Sequence, residues 1–312
     1  MIIKRSPMKV ENRQTISGKD FENYFQPKTL KKALEIKEKY QDEIIVLAGA
    51  TDVLVEKYER LNEIKHWLDL SRIKELKFLD FKEDKILIGP LMTHYELKNS
   101  QMLKERLSIL AKASAAVGSP QIRSRGTIGG NICTSSPAGD TLSALLASDA
   151  SFKLQSQEGS RLVKAEEFFL APKRNILKEN ELLTQIEIPL YSEPALNFWS
   201  KIGRRKALVI STLNLALVLY FDRGIIKRAG LAVGSAAPTP IRLREVEEMM
   251  IGKSLAELNY RNLGEELKKR VSPIDDIRGT KKYRENVVRD IMENALESIE
   301  KRREGGKNAD QI

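Results

Sequence analysis

The sequence predicts an α+β protein built from two parts, because the pattern of apolar residues changes near residue 192. The chain has 312 residues, of which 41% are hydrophobic and 31% are charged, and such a composition supports a buried core. Before the change, short β-branched runs alternate with amphipathic stretches. After it, two long apolar runs meet at Asp222-Arg223-Gly224, which is a turn signal for an antiparallel hairpin.

Periodicity and turn residues assign the elements of the N-terminal part. Residues 27–40 have the spacing of an amphipathic helix, with Thr29 as the expected N-cap. Residues 101–118 are also helical by their Leu and Ala spacing, and residues 140–156 predict a short helix and then a strand. Residues 157–160 mark a hairpin turn. The other predicted strands are short apolar runs at residues 43–49, 66–70, 85–90 and 181–190.

The C-terminal part is predicted to be an antiparallel sheet covered by helices. The polar residues 191–195 form the expected boundary, and residues 208–238 predict two long strands joined by the hairpin turn. An apolar stripe recurs at helical spacing in the last helix, at Val288, Ile291, Ala295 and Ile299. We expect this stripe to face the core rather than a partner protein.

Charge and hydropathy argue against two classes of protein. The net charge of +10 raises nucleic acid as a partner, but opposite signs alternate along residues 261–312 and no nucleic-acid-binding motif accompanies them. A solvated surface of mixed charge, with no nucleic-acid partner, is therefore the expectation. The sequence has no apolar run of the roughly 18 residues that a bilayer span needs, and its opening lacks the apolar core of a signal peptide. We predict a cytoplasmic protein without membrane insertion.

The cysteine and histidine residues predict no metal site. Cys133 is the single cysteine, which excludes an internal disulfide and a cysteine-ligated zinc or iron–sulfur site in this chain. Its expected role is that of a small buried hydrophobe. His66 and His94 lack neighbouring carboxylates at a spacing suited to a metal, so both are interpreted as structural.

Two glycine-bearing loops follow predicted buried segments, at residues 47–52 (LAGATD) and 127–131 (TIGGN). Glycine lets a ligand approach the main chain, and successive N–H groups in a turn form a concavity for anions. Neither loop has the spacing of a P-loop or a Rossmann fingerprint, and each alone predicts only a turn. Together with nearby polar side chains they predict a site for the pyrophosphate and sugar hydroxyls of a dinucleotide. Those side chains are Thr51, Asp52, Thr127, Asn131, Thr134 and Asp140.

Seven segments, in order along nearly the whole chain, resemble one known family. They are YFQPKTLKKALE, VLAGATDVLV, LDLSRIKEL, IGPLMTHYEL, PQIRSRGTIGGNICTSSPAGDTLSALLASDA, SKIGRRKALVIS and VGSAAPTPIR. They resemble the FAD-binding medium subunit of molybdenum hydroxylases, the xanthine dehydrogenase and carbon monoxide dehydrogenase group. The similarity is greatest to the separate flavin subunit of bacterial xanthine dehydrogenases.

The resemblance implies a fold that periodicity alone does not give. Residues 19–192 would form the two-subdomain FAD-binding fold of the vanillyl-alcohol oxidase type, with subdomains at about 19–75 and 76–192. Residues 196–303 would form a small α+β domain with an antiparallel sheet, of the carbon monoxide dehydrogenase flavoprotein C-terminal type. An N-terminal extension (1–18) and a tail (304–312) would complete the chain.

The resemblance also implies contacts to a non-covalently bound FAD. The two loops would hold the pyrophosphate, Leu183 would lie beside the isoalloxazine, and Lys201 would lie near the polar edge of that ring unless it is only a surface cation. Asp140 matches an FAD-contacting aspartate and is also a candidate helix N-cap, and the two roles can coexist. Two positions depart from the family: Ala50 replaces a frequent second glycine, and Val117 replaces the aromatic residue of animal xanthine dehydrogenases. The implied contacts are Val46, Leu47, Ala48, Gly49, Ala50, Thr51, Asp52, Val53, Val117, Thr127, Gly129, Gly130, Asn131, Thr134, Asp140, Leu183 and Lys201.

The implied function is electron transfer, with no catalytic side chain in this chain. In the resembling enzymes a molybdopterin large subunit hydroxylates the substrate, and electrons pass through two [2Fe-2S] clusters of a small subunit to FAD and then to NAD or another acceptor. The implied complex is a xanthine dehydrogenase arranged as a dimer of heterotrimers. The alternatives are the flavin subunit of an aldehyde, carbon monoxide or nicotinate hydroxylase, a stand-alone FAD-dependent oxidase, and a non-enzymatic basic interaction protein.

Overall fold

The computed structural model describes residues 23–56, 65–205 and 209–305. The predicted N-terminal extension and most of the predicted tail lie outside these ranges. Helices and strands mix in both parts of the described chain, which confirms the α+β class. Within these ranges, none of the helices combines the length and the apolar composition of a bilayer-spanning segment.

A three-stranded parallel sheet with strand order β1-β3-β2 begins the fold. Its elements are β1 (Asn23–Phe25), α1 (Leu30–Tyr40), β2 (Ile44–Leu47), α2 (Val53–Glu56) and β3 (His66–Asp69). Helix α1 is capped by Thr29, whose hydroxyl accepts from the amide of Lys32, as predicted. Leu34 of α1 packs in one apolar cluster with Ile44 and Leu68 of the sheet.

A five-stranded antiparallel sheet with order β4-β5-β10-β6-β7 follows, together with a group of helices. The strands are β4 (Leu79–Phe81), β5 (Lys85–Ile88), β6 (Ser151–Gln155), β7 (Ser160–Lys164), β8 (Phe169–Ala171), β9 (Arg174–Asn175) and β10 (Leu182–Pro189), of which β8 and β9 pair separately. The helices are α3 (His94–Asn99), α4 (Gln101–Arg106), α5 (Ser108–Ala116), α6 (Pro120–Arg125), α7 (Ile128–Thr134), α8 (Asp140–Ala147) and α9 (Ala165–Phe168). The predicted subdomain division near residue 75 falls between β3 and β4.

Two local expectations are wrong in this part. The helix predicted over 101–118 is two helices, because the backbone leaves the helical region at Leu107 (φ −151°, ψ 57°). Leu103, Leu107 and Leu110 are all buried in the same core on either side of this break, so their spacing conceals it. Asp140 is not an N-cap: Gly139 precedes helix α8, and Asp140 is its first residue.

The C-terminal part is a four-stranded antiparallel sheet with order β11-β12-β13-β14 and helices on one face. Its elements are β11 (Ala195–Ile202), β12 (Leu213–Asp222), β13 (Ile225–Gly234), β14 (Ile241–Arg242), α10 (Arg244–Glu248), α11 (Tyr260–Lys269) and α12 (Lys281–Glu304). The turn between β12 and β13 has positive φ at Arg223 and Gly224, as a tight hairpin requires. The apolar stripe of α12 is buried, which confirms its predicted core role.

The C-terminal sheet is covered on both faces. Leu215 and Leu217 of β12 face the α10–α12 side, whereas Ala216 and Val218 belong to the core that includes α8 of the N-terminal part. A side chain at Gly230 of β13 would place its Cβ 1.9 Å from the carbonyl oxygen of Ala147, so the strand lies directly against the end of α8. This packing brings the end of β11 next to the start of α8.

Candidate cofactor-binding cleft

A cleft of about 580 Å³ lies where the two sheets of the N-terminal part meet. This volume is within the usual range of small-molecule sites. The cleft brings together both glycine loops with Val117, which directly follows α5, and Leu183 of β10. The predicted contacts that line it are Val46, Ala48, Gly49, Ala50, Thr51, Asp52, Val53, Val117, Thr127, Gly129, Gly130, Asn131, Thr134 and Leu183.

The first loop presents main-chain donors to the cleft. Ala50 adopts φ +61°, in the left-handed region, which turns the chain sharply after β2. Among the described residues, the amides of Gly49, Ala50, Thr51 and Asp52 have no protein acceptor. Successive free amides in a turn form a concavity for an anion, so this loop fits a pyrophosphate.

The first loop also packs against the chain that leads into the second loop. A Cβ on Gly49 would lie 2.1 Å from the carbonyl oxygen of Arg125 and 2.9 Å from the Cα of Gly126. Only glycine permits this approach of two main chains. The Gly49 position is therefore a structural requirement of the cleft as well as a predicted contact.

The second loop contributes differently from the expectation that its amides bind the ligand. The Gly129 amide donates to the Pro90 carbonyl at 2.9 Å, and the Gly130 amide donates to the Thr127 hydroxyl at 3.1 Å. A Cβ on Gly129 would lie 2.4 Å from the Cβ of Pro90, whereas a Cβ on Gly130 would meet only the Thr127 hydroxyl within 4 Å. Gly129 thus serves packing, and Gly130 keeps space open on the cleft side. The Gly129 amide is already paired within the protein, and the contact of Gly129 with FAD remains a prediction.

Asp140 and Lys201 form a buried ion pair beside the cleft. Lys201 Nζ lies 2.5 Å from Asp140 Oδ2 and donates to the Ala116 carbonyl at 3.1 Å. Both side chains are about nine-tenths buried, so the interpretation of Lys201 as a surface cation is wrong. Burial raises the pKa of Asp140 to about 6, against the lowering effect of Lys201.

Three predicted contacts do not line the cleft: Leu47, Asp140 and Lys201. The Leu47 side chain packs against Trp67 on the other side of the first sheet. The ion pair of Asp140 and Lys201 is near the cleft wall, because Lys201 donates to the carbonyl of Ala116, the residue before Val117. The contacts of these three residues with FAD remain predictions.

His94 is a residue of the cleft that the sequence interpretation assigned only a structural role. It begins α3 directly after the turn that follows β5, is 2% exposed and lines the cleft. Its Nδ1 is buried without a hydrogen-bond partner. The sequence does contain a signal for this residue. His94 comes shortly after the predicted strand at residues 85–90, as the first glycine loop comes after the predicted strand at residues 43–49.

Cys133 also borders the cleft, but its chemistry is inert. The residue packs against the apolar core, and burial raises the pKa of its thiol to about 12. The thiol is therefore protonated at neutral pH and is a poor nucleophile or metal ligand. Across the described ranges, no group of three or more His, Cys, Asp and Glu residues is placed to hold a metal ion.

The cleft fits an FAD molecule by its own features. The free amides of the first loop suit the pyrophosphate, and the open side of Gly130 leaves room for a ligand next to the main chain. Apolar side chains at Val117, Leu182 and Leu183 line other parts of the wall, as an aromatic ring system would need.

Comparison with known proteins identifies the family. Residues 19–191 match the family described as FAD binding domain in molybdopterin dehydrogenase, and residues 199–299 match the CO dehydrogenase flavoprotein C-terminal domain. The chain belongs to this family of flavoproteins.

Its relatives are flavin subunits of several dehydrogenases. The Eubacterium barkeri nicotinate dehydrogenase FAD-subunit is 35% identical over 76% of this chain and 81% of its own length. The xanthine dehydrogenase FAD-binding subunit of Escherichia coli O157:H7 is 28% identical over 89% of this chain and 95% of its own. A chain of carbon monoxide dehydrogenase from Hydrogenophaga pseudoflava superimposes with a TM-score of 0.85 at 28% identity, covering 90% of this flavoprotein and 98% of that chain. These matches confirm the family, its fold, its FAD cofactor and its oxidoreductase class.

Proposed function

We propose that this flavoprotein is the electron-transfer subunit of a molybdenum hydroxylase that also contains an iron–sulfur small subunit and a molybdopterin large subunit. Bound FAD would supply the redox chemistry, taking electrons from the small subunit and delivering them to an acceptor. The observation that carries the proposal is the cleft with free first-loop amides in a chain whose two parts both match the flavoprotein family.

The protein's own residues would bind and shield the cofactor. The amides of residues 49–52 would donate to the pyrophosphate, and Gly130 would leave space for it. The buried pair of Lys201 and Asp140 would fix the carbonyl end of α5 next to Val117 at the cleft wall. None of these groups is required to transfer a proton to or from an organic substrate.

The finer proposal is a xanthine- or purine-hydroxylating complex with NAD as its acceptor, in the cytoplasm and as a dimer of heterotrimers. The xanthine dehydrogenase relative supports this substrate. The nicotinate dehydrogenase relative, which is 35% identical, supports a nicotinate-hydroxylating complex as the second candidate. Both substrates are nitrogen heteroaromatics, so one assay with xanthine and nicotinate compares the two.

Native purification from the source cells tests the complex. We expect the chain to co-elute with two other polypeptides, iron, molybdenum and FAD, and the eluate to reduce NAD⁺ with xanthine. The isolated chain should oxidise NADH with an artificial acceptor and should not oxidise xanthine or nicotinate. A chain that elutes alone, yellow and free of both metals, and that turns over an organic substrate would support the stand-alone oxidase instead.

Paired glycine substitutions test the FAD site. Gly130→Val should give a folded protein with little FAD, because its side chain enters the open side of the second loop. Gly129→Val should destabilise the FAD-free protein itself, because its Cβ would overlap Pro90. Thermal unfolding without FAD separates the two effects, and the flavin absorbance of each purified protein measures cofactor content. Wild-type FAD content in Gly130→Val would remove the second loop from the site.

A further inference from the structure

His94 is buried at the point where the two glycine loops meet. A Cβ on Gly126 would lie 3.4 Å from both His94 Cδ2 and Thr51 Oγ1, so the imidazole and the first-loop hydroxyl flank the same backbone position. The His94 amide donates to the Gly126 carbonyl at 3.0 Å, which holds α3 against this segment. The ring therefore has a fixed place beside the free first-loop amides.

The ring of His94 has no hydrogen-bonding role within the described protein. Its Nδ1 is shut off from solvent and has no partner, although the residue lines the cleft. Buried polar atoms in native proteins are normally satisfied, so a buried imidazole without a partner calls for a specific explanation. A structural histidine would be expected to hydrogen-bond its neighbours. The buried His66, by comparison, has Asn23 Nδ2 as a hydrogen-bond partner of its Nδ1 at 3.2 Å.

Burial keeps the His94 ring neutral, and the Arg123 charge of α6 acts in the same direction. Burial, together with the nearby Arg123 charge, lowers the pKa of His94 to about 4, so the imidazole is neutral at pH 7. A neutral ring has one donor and one acceptor nitrogen. Nδ1 is the nitrogen enclosed by the protein. The nitrogen that can reach a ligand in the cleft is therefore Nε2, which is bonded to Cδ2 at the meeting point of the loops.

We propose that His94 is a positioning residue for FAD, whose Nε2–H donates a hydrogen bond to a pyrophosphate oxygen alongside the first-loop amides. The inference rests on the proposed FAD site and adds a side-chain donor to it. A neutral hydrogen-bond donor suits this position because Arg123 already lies nearby. A protonated imidazole would be a second cation buried beside it.

Three single variants test the role. His94→Leu removes the donor with little change of volume, and His94→Gln supplies an amide N–H near the position of Nε2. His66→Gln is the matched control, because His66 is also buried but lies in β3 outside the cleft. We expect His94→Leu to raise the Kd for FAD by about ten- to a hundredfold, as the loss of a hydrogen bond to a charged group predicts. His94→Gln should recover most of this loss, and His66→Gln should match the wild type.

Phosphorus NMR of bound FAD gives the readout that a structural role would not change. The pyrophosphate resonances should shift in His94→Leu and stay in place in His66→Gln. If His94→Leu does not fold, the comparison becomes His94→Gln against His94→Asn, whose shorter amide cannot reach the Nε2 position and should bind FAD more weakly.

Three results would overturn the role of His94: wild-type affinity in His94→Leu, no recovery in His94→Gln over His94→Leu or His94→Asn, or unchanged phosphorus resonances. None of these results would contradict the proposed FAD site, provided that the wild type and His66→Gln bind FAD. Absence of FAD binding in the wild type would instead contradict the proposed function.

Discussion

Ala50 stands in a backbone conformation that favours glycine, with φ at +61°. A residue with a Cβ in the left-handed region costs about 1–2 kcal/mol, and glycine recovers this at a cost of about 0.4–1 kcal/mol in the more flexible unfolded chain. We predict that Ala50→Gly stabilises the FAD-free protein by up to about 1.6 kcal/mol while FAD binding is kept. Urea unfolding and FAD titration measure the two quantities.

The neighbouring position supplies the matched control. Gly49→Ala places a Cβ 2.1 Å from the Arg125 carbonyl oxygen, so it should lower both stability and FAD affinity. Opposite signs of the stability change at two adjacent residues would follow from main-chain geometry alone. A loss of stability in Ala50→Gly would mean that the left-handed turn does not strain the alanine.

The buried carboxyl of Asp140 predicts a pH dependence of stability. Its pKa of about 6 lies above the unfolded value of about 3.9, so the folded state binds the proton more tightly. The carboxyl therefore contributes stability below about pH 4, and this contribution is lost as the pH rises through about 6. Relative to Asp140→Asn, the wild type should lose up to about 3 kcal/mol between pH 3 and pH 7. Urea unfolding of both proteins across this range measures the difference, and a constant difference would contradict the raised pKa.

The same pair predicts an asymmetric effect on the flavin midpoint potential. Lys201→Met removes a cation, but the buried Asp140 then has no partner and takes up a proton, so the local net charge changes little. Asp140→Asn leaves the Lys201 cation uncompensated, which should raise the potential, because a cation favours the reduced, more negative ring. Redox titration of the two FAD-loaded variants should give the larger shift for Asp140→Asn. A larger, negative shift for Lys201→Met would contradict this prediction and would mean that Lys201 acts on the flavin as an unpaired cation.

At the scale of elements, Arg242 of β14 ties the C-terminal sheet to helix α8. Its guanidinium donates to the Asp149 carboxylate and the Leu146 carbonyl at the end of α8, and to both carboxylate oxygens of Glu247. The side chains of Arg242 and Glu247 are 5% and 4% exposed, so the pair is buried.

Arg242→Leu should destabilise the protein by about 3–5 kcal/mol, because Glu247 would be left buried without its cation. The double variant Arg242→Leu/Glu247→Gln should recover part of this loss, since the amide oxygen of glutamine can still accept from the Leu231 amide. Urea unfolding of both variants measures the coupling. Equal stability of the single and double variants would show that the unpaired carboxylate is not the cause.

The elements also show what sequence reasoning can reach. Helix α1 and the hairpin of β12 and β13 follow from caps and turns that are local in the chain. The break at Leu107 is concealed because the apolar spacing continues through it.

Gly129 and Gly130 are adjacent and equivalent in sequence, and only the folded position of Pro90 assigns packing to one and open space to the other. The pair of Asp140 and Lys201 joins residues 61 positions apart, so no local pattern predicts it. The FAD contacts of Leu183 and Lys201 came only from family resemblance. One resembling segment contains His94, but the contacts implied by the resemblance do not include it.

At the scale of the whole molecule, the C-terminal sheet joins the N-terminal part through a continuous core. Ala216 and Val218 of β12 share one apolar cluster with Leu142 and Leu145 of α8. The two parts can therefore present one fixed surface to a partner. The shared core also fixes the position of the cleft relative to the ion pair. Docking of a donor subunit then depends on shape and on charge.

The net charge of +10 predicts that docking to the iron–sulfur subunit of the proposed complex is electrostatically steered. Charges on the surface are screened within about 10 Å at 0.1 M salt and about 3 Å at 1 M. We expect the association rate constant to fall about tenfold or more from low salt to 0.5 M NaCl, while the dissociation rate changes less, because complementary charge acts mainly on encounter. Stopped-flow mixing of the separated subunits measures both rates, with sucrose at matched osmolality as the control. An association rate independent of salt would mean that the positive charge lies away from the docking surface and that contact shape alone selects the partner.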